Sequence, residues 1–81
     1  MDAYRVEFLV EPFTEGTIGP PVVAAISAVE ELGFEPEVGA FGTTIDGEPG
    51  NIVEAIGQLA IRAMDAGATR VTIQVTQSPD A

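Results

Sequence analysis

Cysteine, histidine and lysine are all missing from this 81-residue chain. Without cysteine there is no disulfide, no thiolate nucleophile and no cysteine metal site. Without histidine the commonest general base and metal ligand is gone, so any acid–base chemistry would fall to Asp and Glu. The basic charge is three arginines, set against 13 acids, for a net charge of −10. Phosphate backbones and anionic membranes are repelled by such a chain, and cations are attracted. Long apolar runs are absent too: nothing approaches the ~20 residues needed to span a bilayer. The opening "MDAYRVEFLV" carries an acid at position 2 and does not read as a signal peptide. The expectation is a cytoplasmic protein with no nucleic-acid or membrane partner.

What is present is a heavy apolar load, 46% of residues. A domain this short buries only roughly 60–65% of the surface its unfolded chain exposes. Residues 1–81 therefore read as one domain, with apolar side chains left over for a subunit interface.

Periodicity divides the chain into alternating strands and helices. In "YRVEFLVE", Tyr4, Val6, Phe8 and Val10 alternate with Arg5, Glu7, Leu9 and Glu11, the period-2 pattern of a strand covered on one face. The loop "PFTEGTIGPP" ends in Pro20 and Pro21, suited to a first helical turn that needs no N–H partners. Val22, Ile26, Val29 and Leu32 then mark a helix over about 20–32, stopped at Gly33. "FEPEVGAF" predicts a short strand with Phe34, Pro36, Val38 and Ala40 on one face. Pro36 has no N–H to give a ladder, so this strand belongs at an edge. "TTIDGE" predicts a third strand, and Pro49 opens a helix whose buried stripe is Ile52, Ala55, Ile56, Leu59 and Ala63, ending before Gly67. Val53, Ala60, Ile61 and Met64 lie beyond that stripe and read either as a broader buried face or as an oligomer contact. "TRVTIQVTQ" alternates again as a last strand, and "SPDA" is a tail.

Strand, helix, strand, strand, helix, strand is two β-α-β units. Right-handed crossovers turn that order into an α+β ferredoxin-like βαββαβ sandwich, a four-stranded antiparallel sheet with two helices on one face. The other sheet face then carries polar side chains, Arg5, Glu7, Glu35, Glu37, Thr44, Asp46 and Gln74 among them.

"FGTTIDGEPGN", residues 41–51, concentrates hydroxyls and carboxylates where the second helix begins. Its plain reading is structural: threonine suits strands, Asp-Gly turns the chain, and Glu48 gains ~0.3–1 kcal/mol beside a helix N-terminus. Its functional reading is recognition, since these groups together accept hydrogen bonds from an amino group and oppose a cation. "EVGAFGTTIDGEPGNIVEAI", between a strand ending in "VEPF" and the closing "RVTIQV", resembles the small ferredoxin-like thiamine-binding family. The family's motif is met by Gly42, Thr43, Thr44, Ile45, Asp46, Gly47 and Glu48, and the likeness covers about residues 4–77. "PFTEGTIGPP" departs from it by lacking a Ser/Thr-rich start to the first helix.

The resemblance implies a non-catalytic protein that binds thiamine or its hydroxymethylpyrimidine portion, without a cofactor of its own, as a homodimer or homotetramer. It points to Phe41, Thr43, Thr44, Asp46 and Glu48 as ligand-binding residues, with a carboxylate opposite the positive thiazolium, hydroxyls on the pyrimidine and Phe41 for stacking. Phe8 is better placed in the core. Alternation puts Thr43 and Ile45 on one face of their strand and Thr44, Asp46 and Glu48 on the other, so the pocket lies either between helices and sheet or on the open face. The competing reading is a structural or regulatory oligomer with another small ligand or none. A phosphatase reading on this fold would want an arginine in the first loop, and "EPFTEGTIGPP" has no basic residue.

Overall fold

The computed structural model of the protein describes residues 3–12, 18–39 and 42–78. Six elements follow in order: β1 (Tyr4–Glu11), α1 (Pro20–Glu31), β2 (Glu37–Val38), β3 (Thr43–Gly47), α2 (Pro49–Asp65) and β4 (Arg70–Gln77). The strands form one antiparallel sheet in the order β2-β3-β1-β4, consistent with a ferredoxin-like α+β fold. Most of the first loop, residues 13–17, lies outside the described residues, as do Ala40, Phe41 and the end of the tail.

Alternation along β1 does what its sequence demands. Val6, Phe8 and Val10 are buried, and they meet Ile45 of β3, Ala25 and Val29 of α1, and Ile52, Ala55, Leu59 and Ala63 of α2 in one core. Phe8 is therefore a core residue. Both helices start on a proline and stop through the same device. Gly33 and Gly67 have φ of 93° and 108°, a region that strains side chains with a Cβ. The Phe34 N–H reaches the Val29 carbonyl at 3.0 Å and the Gly33 N–H reaches Glu30 at 3.0 Å. Ala68 to Ala63 and Gly67 to Met64 repeat the pair at 3.0 and 3.1 Å, so both ends are Schellman motifs.

Three sequence expectations change. The stripe of α1 centres on Ala25, Ala28 and Val29, with Val22 and Ile26 half-buried and Leu32 exposed as the C-cap. Small residues sit innermost there because α1 packs closely on α2. β2 shrinks to Glu37 and Val38, since Pro36 cannot continue the ladder and the Gly39 N–H turns to the Gly42 carbonyl at 2.8 Å. The broad buried face of α2 is not found either. Ala60 is half-buried against the core, but Val53, Ile61 and Met64 are 71%, 58% and 50% exposed.

Candidate functional site

The "GTTIDGE" stretch is β3 together with the residue that opens α2, and the strand pleat divides its side chains. Thr43 is buried on the helix side, opposite Phe8 of β1 and Val38 of β2. Ile45, beside Val6, is buried in the core. Thr44 and Asp46 point to the open face, Thr44 half-buried and Asp46 exposed. Phe41 lies outside the described residues.

Register gives Thr44 its neighbours. It stands opposite Glu7 of β1 on one side and Glu37 of β2 on the other, and Gln74 of β4 follows beyond Glu7. Directly opposed side chains in an antiparallel pair have Cβ atoms ~4.5–5.5 Å apart. A neutral hydroxyl thus lies between two exposed carboxylates in a row that crosses the whole sheet. Such a row can accept from an amino group at its middle and oppose a positive ring from either side.

Asp46 belongs to the next row and is already engaged. The Arg5 guanidinium donates to it twice, Nε to Oδ1 at 2.9 Å and Nη2 to Oδ2 at 3.2 Å. The Arg5 hydrogen bond holds the Asp46 carboxyl below its ordinary range, opposed by partial burial and helped by the arginine's charge and by Ser78. Arg70 on Glu11 and Arg62 on Glu31 make similar exposed pairs. All three arginines of the chain thus have acid partners.

Glu48 is the N-cap of α2. Its carbonyl accepts from the Ile52 N–H at 2.9 Å, and its exposed side chain makes no capping hydrogen bond. Four residues of extended chain separate it from Thr44, roughly 13 Å. The five sequence candidates therefore do not converge on one point. The two glycines of the stretch have packing reasons. A Cβ on Gly47 would stand 2.6 Å from Cε1 of Phe34, and one on Gly42 would stand 3.0 Å from the Phe8 carbonyl oxygen.

Sequence reasoning put Glu7 and Glu37 on the polar face without joining them to Thr44. The missing signal was register. A β2–β3 hairpin pairing Val38 with Thr43 places Glu37 beside Thr44, but the sequence does not say how many residues the turn takes.

Fold and face together define a small α+β sandwich whose open sheet carries an acidic, hydroxyl-bearing row. The chain belongs to the thiamine-binding protein family, whose model matches residues 6–79. Solved structures agree. A domain of unknown function from Bacillus cereus is 27% identical with a TM-score of 0.68, covering 94% of this chain and 74% of that one. A Thermotoga maritima protein, provisionally described as a thiamine biosynthesis/salvage protein, is also 27% identical, with a TM-score of 0.67 and coverage of 94% and 82%. A hypothetical protein from Methanocaldococcus jannaschii shares the fold at 19% identity and a TM-score of 0.70, covering 96% and 80%. No curated protein matches the chain. Among the described residues no helix is long and apolar enough to cross a membrane.

Proposed function

We propose that this protein binds thiamine or a related hydroxymethylpyrimidine without catalysis, as a self-associated cytoplasmic carrier or sensor, and that the ligand lies on the open sheet face around Thr44. The observation that carries the reading is the Glu37–Thr44–Glu7 row, in a chain matched over 6–79 by the thiamine-binding family. The Thr44 hydroxyl suits the aminopyrimidine, as donor to a ring nitrogen or acceptor from the amino group. Glu7 and Glu37 supply the charge opposite the thiazolium. One carboxylate at ~5 Å contributes about 3 kcal/mol at an effective dielectric near 20, before desolvation and salt reduce it. Asp46 is spoken for by Arg5, and its part is to hold that arginine's positive charge away from the ligand. Thr43 is left to the helix side.

Calorimetry with thiamine, hydroxymethylpyrimidine and an unrelated organic cation tests this. Glu7→Gln keeps shape and removes charge, so thiamine should bind several-fold more weakly, about 1 kcal/mol, while the uncharged pyrimidine changes little. Equal loss for both ligands would remove the charge role. Failure of both thiamine and hydroxymethylpyrimidine to bind the native protein would leave the structural or regulatory oligomer.

A further inference from the structure

Two adjacent rows of the open face differ in charge. Glu37, Thr44, Glu7 and Gln74 make the first, and Asp46, Arg5 and Thr76 make the second. Side chains two apart on a strand share a face, so the rows lie ~6.6 Å from each other, at ~3.3 Å per residue. Together they hold three carboxylates and one guanidinium. A two-ring ligand seated at Thr44 extends beyond its own row, and the nearest basic side chain it can meet is Arg5.

A guanidinium is what a phosphate would seek. Its planar fork takes two oxygens of a carboxylate or of a phosphate in the same geometry. Here the fork is taken by Asp46, Oδ1 receiving Nε at 2.9 Å and Oδ2 receiving Nη2 at 3.2 Å. The other arginines are out of reach. Arg70 stands opposite Glu11, four residues along β1 from Glu7 and roughly 13 Å away, and Glu11 holds it at 2.8 Å. Arg62 pairs with Glu31 on the helix side of the sheet. With no lysine and no histidine in the chain, these three are all its basic side chains. Helix N-termini, the other usual seat for phosphate, are poor here. α1 opens on Pro20 and Pro21, which have no N–H, and α2 opens on Pro49 behind the Glu48 carboxylate.

We propose that Asp46 sets the specificity of the open-face site: by occupying the Arg5 fork, it makes the site accept the free alcohol and refuse its phosphate esters. The inference rests on the binding reading above and adds what that site turns away. A phosphate monoester carries about −1.5 to −2 charges at neutral pH, and a diphosphate carries more. Esterifying the thiamine hydroxyl thus turns a cation into a net anion. The new charge arrives beside Glu7 and Glu37 with no partner to offset it. Hydroxymethylpyrimidine goes from neutral to anionic in the same way. Asp46 is a positioning residue in this account, because it acts through Arg5 and does not itself hold the ligand.

The test is calorimetry with thiamine, thiamine monophosphate and thiamine diphosphate on three proteins: native, Asp46→Asn, and Asp46→Asn combined with Arg5→Gln. The native protein should bind thiamine at least about tenfold more tightly than the diphosphate, roughly 1.4 kcal/mol, with the monophosphate between them. Asp46→Asn releases the fork and adds one positive charge to its row. The diphosphate should then gain at least about tenfold relative to thiamine. The double variant returns the row to neutrality without a fork, so its preference should fall back to the native one. Both variants should still melt as folded proteins, since the ion pair they break is exposed.

Three results would overturn the inference and leave thiamine binding standing. One is a native protein that binds thiamine but takes the diphosphate equally well or better. Another is an Asp46→Asn protein that keeps the native preference. The third is a gain for the diphosphate that persists in the double variant, which would take the role away from Arg5. A native protein that binds none of the three compounds would overturn the binding reading and this inference with it.

Discussion

β3 presents different chemistry to its two sides. Toward the helices, Thr43 and Ile45 are 4% and 1% exposed and are closed in by Phe8 and Val6. Toward the open face, Thr44 and Asp46 stand among Glu7, Glu37 and Arg5. Five residues thus serve two purposes, because the pleat sends neighbours to opposite sides. One side holds the sandwich together and the other is free to meet a solute. A substitution on the first side should register in stability, and one on the second in binding.

The largest effect expected is on the closed side. Ile45→Ala removes a fully buried side chain from the centre of the core and should cost about 2–5 kcal/mol. A chain of this length has roughly 4–12 kcal/mol of stability in all, so denaturant melts should show much of it gone. Gly47→Ala comes next. Its Cβ would force the Phe34 ring aside from 2.6 Å, a cost of about 1–3 kcal/mol read in the same melts. If either variant melted like the native protein, the closed side would be looser than its burial implies.

The smallest effect belongs to the open side, and it carries a pH signature. Asp46→Asn breaks an ion pair whose side chains are 34% and 44% exposed, worth under about 1 kcal/mol. The Asp46 carboxyl titrates below its usual 3.8 in the folded protein. Its contribution is therefore complete above that value and lost as the pH falls through the lower folded one. Native and Asp46→Asn proteins should differ in melting temperature near neutrality and converge in acid, below about pH 4. A difference that grew on acidification would reverse the assignment.

Much of this division could be read from the sequence, and the reasons are local. Period-2 alternation separates Thr43 from Thr44 without any partner strand, and the prolines and glycines flanking α1 and α2 bracket both helices. What escaped the sequence depends on which residue faces which. Arg5 opposite Asp46 is a pairing across 41 residues, and no local rule gives that register. The same holds for Glu7 and Glu37 beside Thr44. Asp46 therefore read as a free carboxylate for a cation, although an arginine holds it. Val53, Ile61 and Met64 read equally as core or as contact surface, because a helix of 17 residues has more apolar positions than one sheet can cover. Exposure settles that they are not core.

The most direct measurement compares the two threonines. Thr43→Val and Thr44→Val each remove one hydroxyl at nearly constant volume, from opposite sides of the same strand. Thiamine titrated calorimetrically into the native protein and both variants should bind Thr43→Val as it binds the native protein. Thr44→Val should bind several-fold to tenfold more weakly, about 1 kcal/mol for the lost hydrogen bond. The opposite order, with Thr43→Val the weaker binder, would put the ligand between helices and sheet and contradict an open-face site.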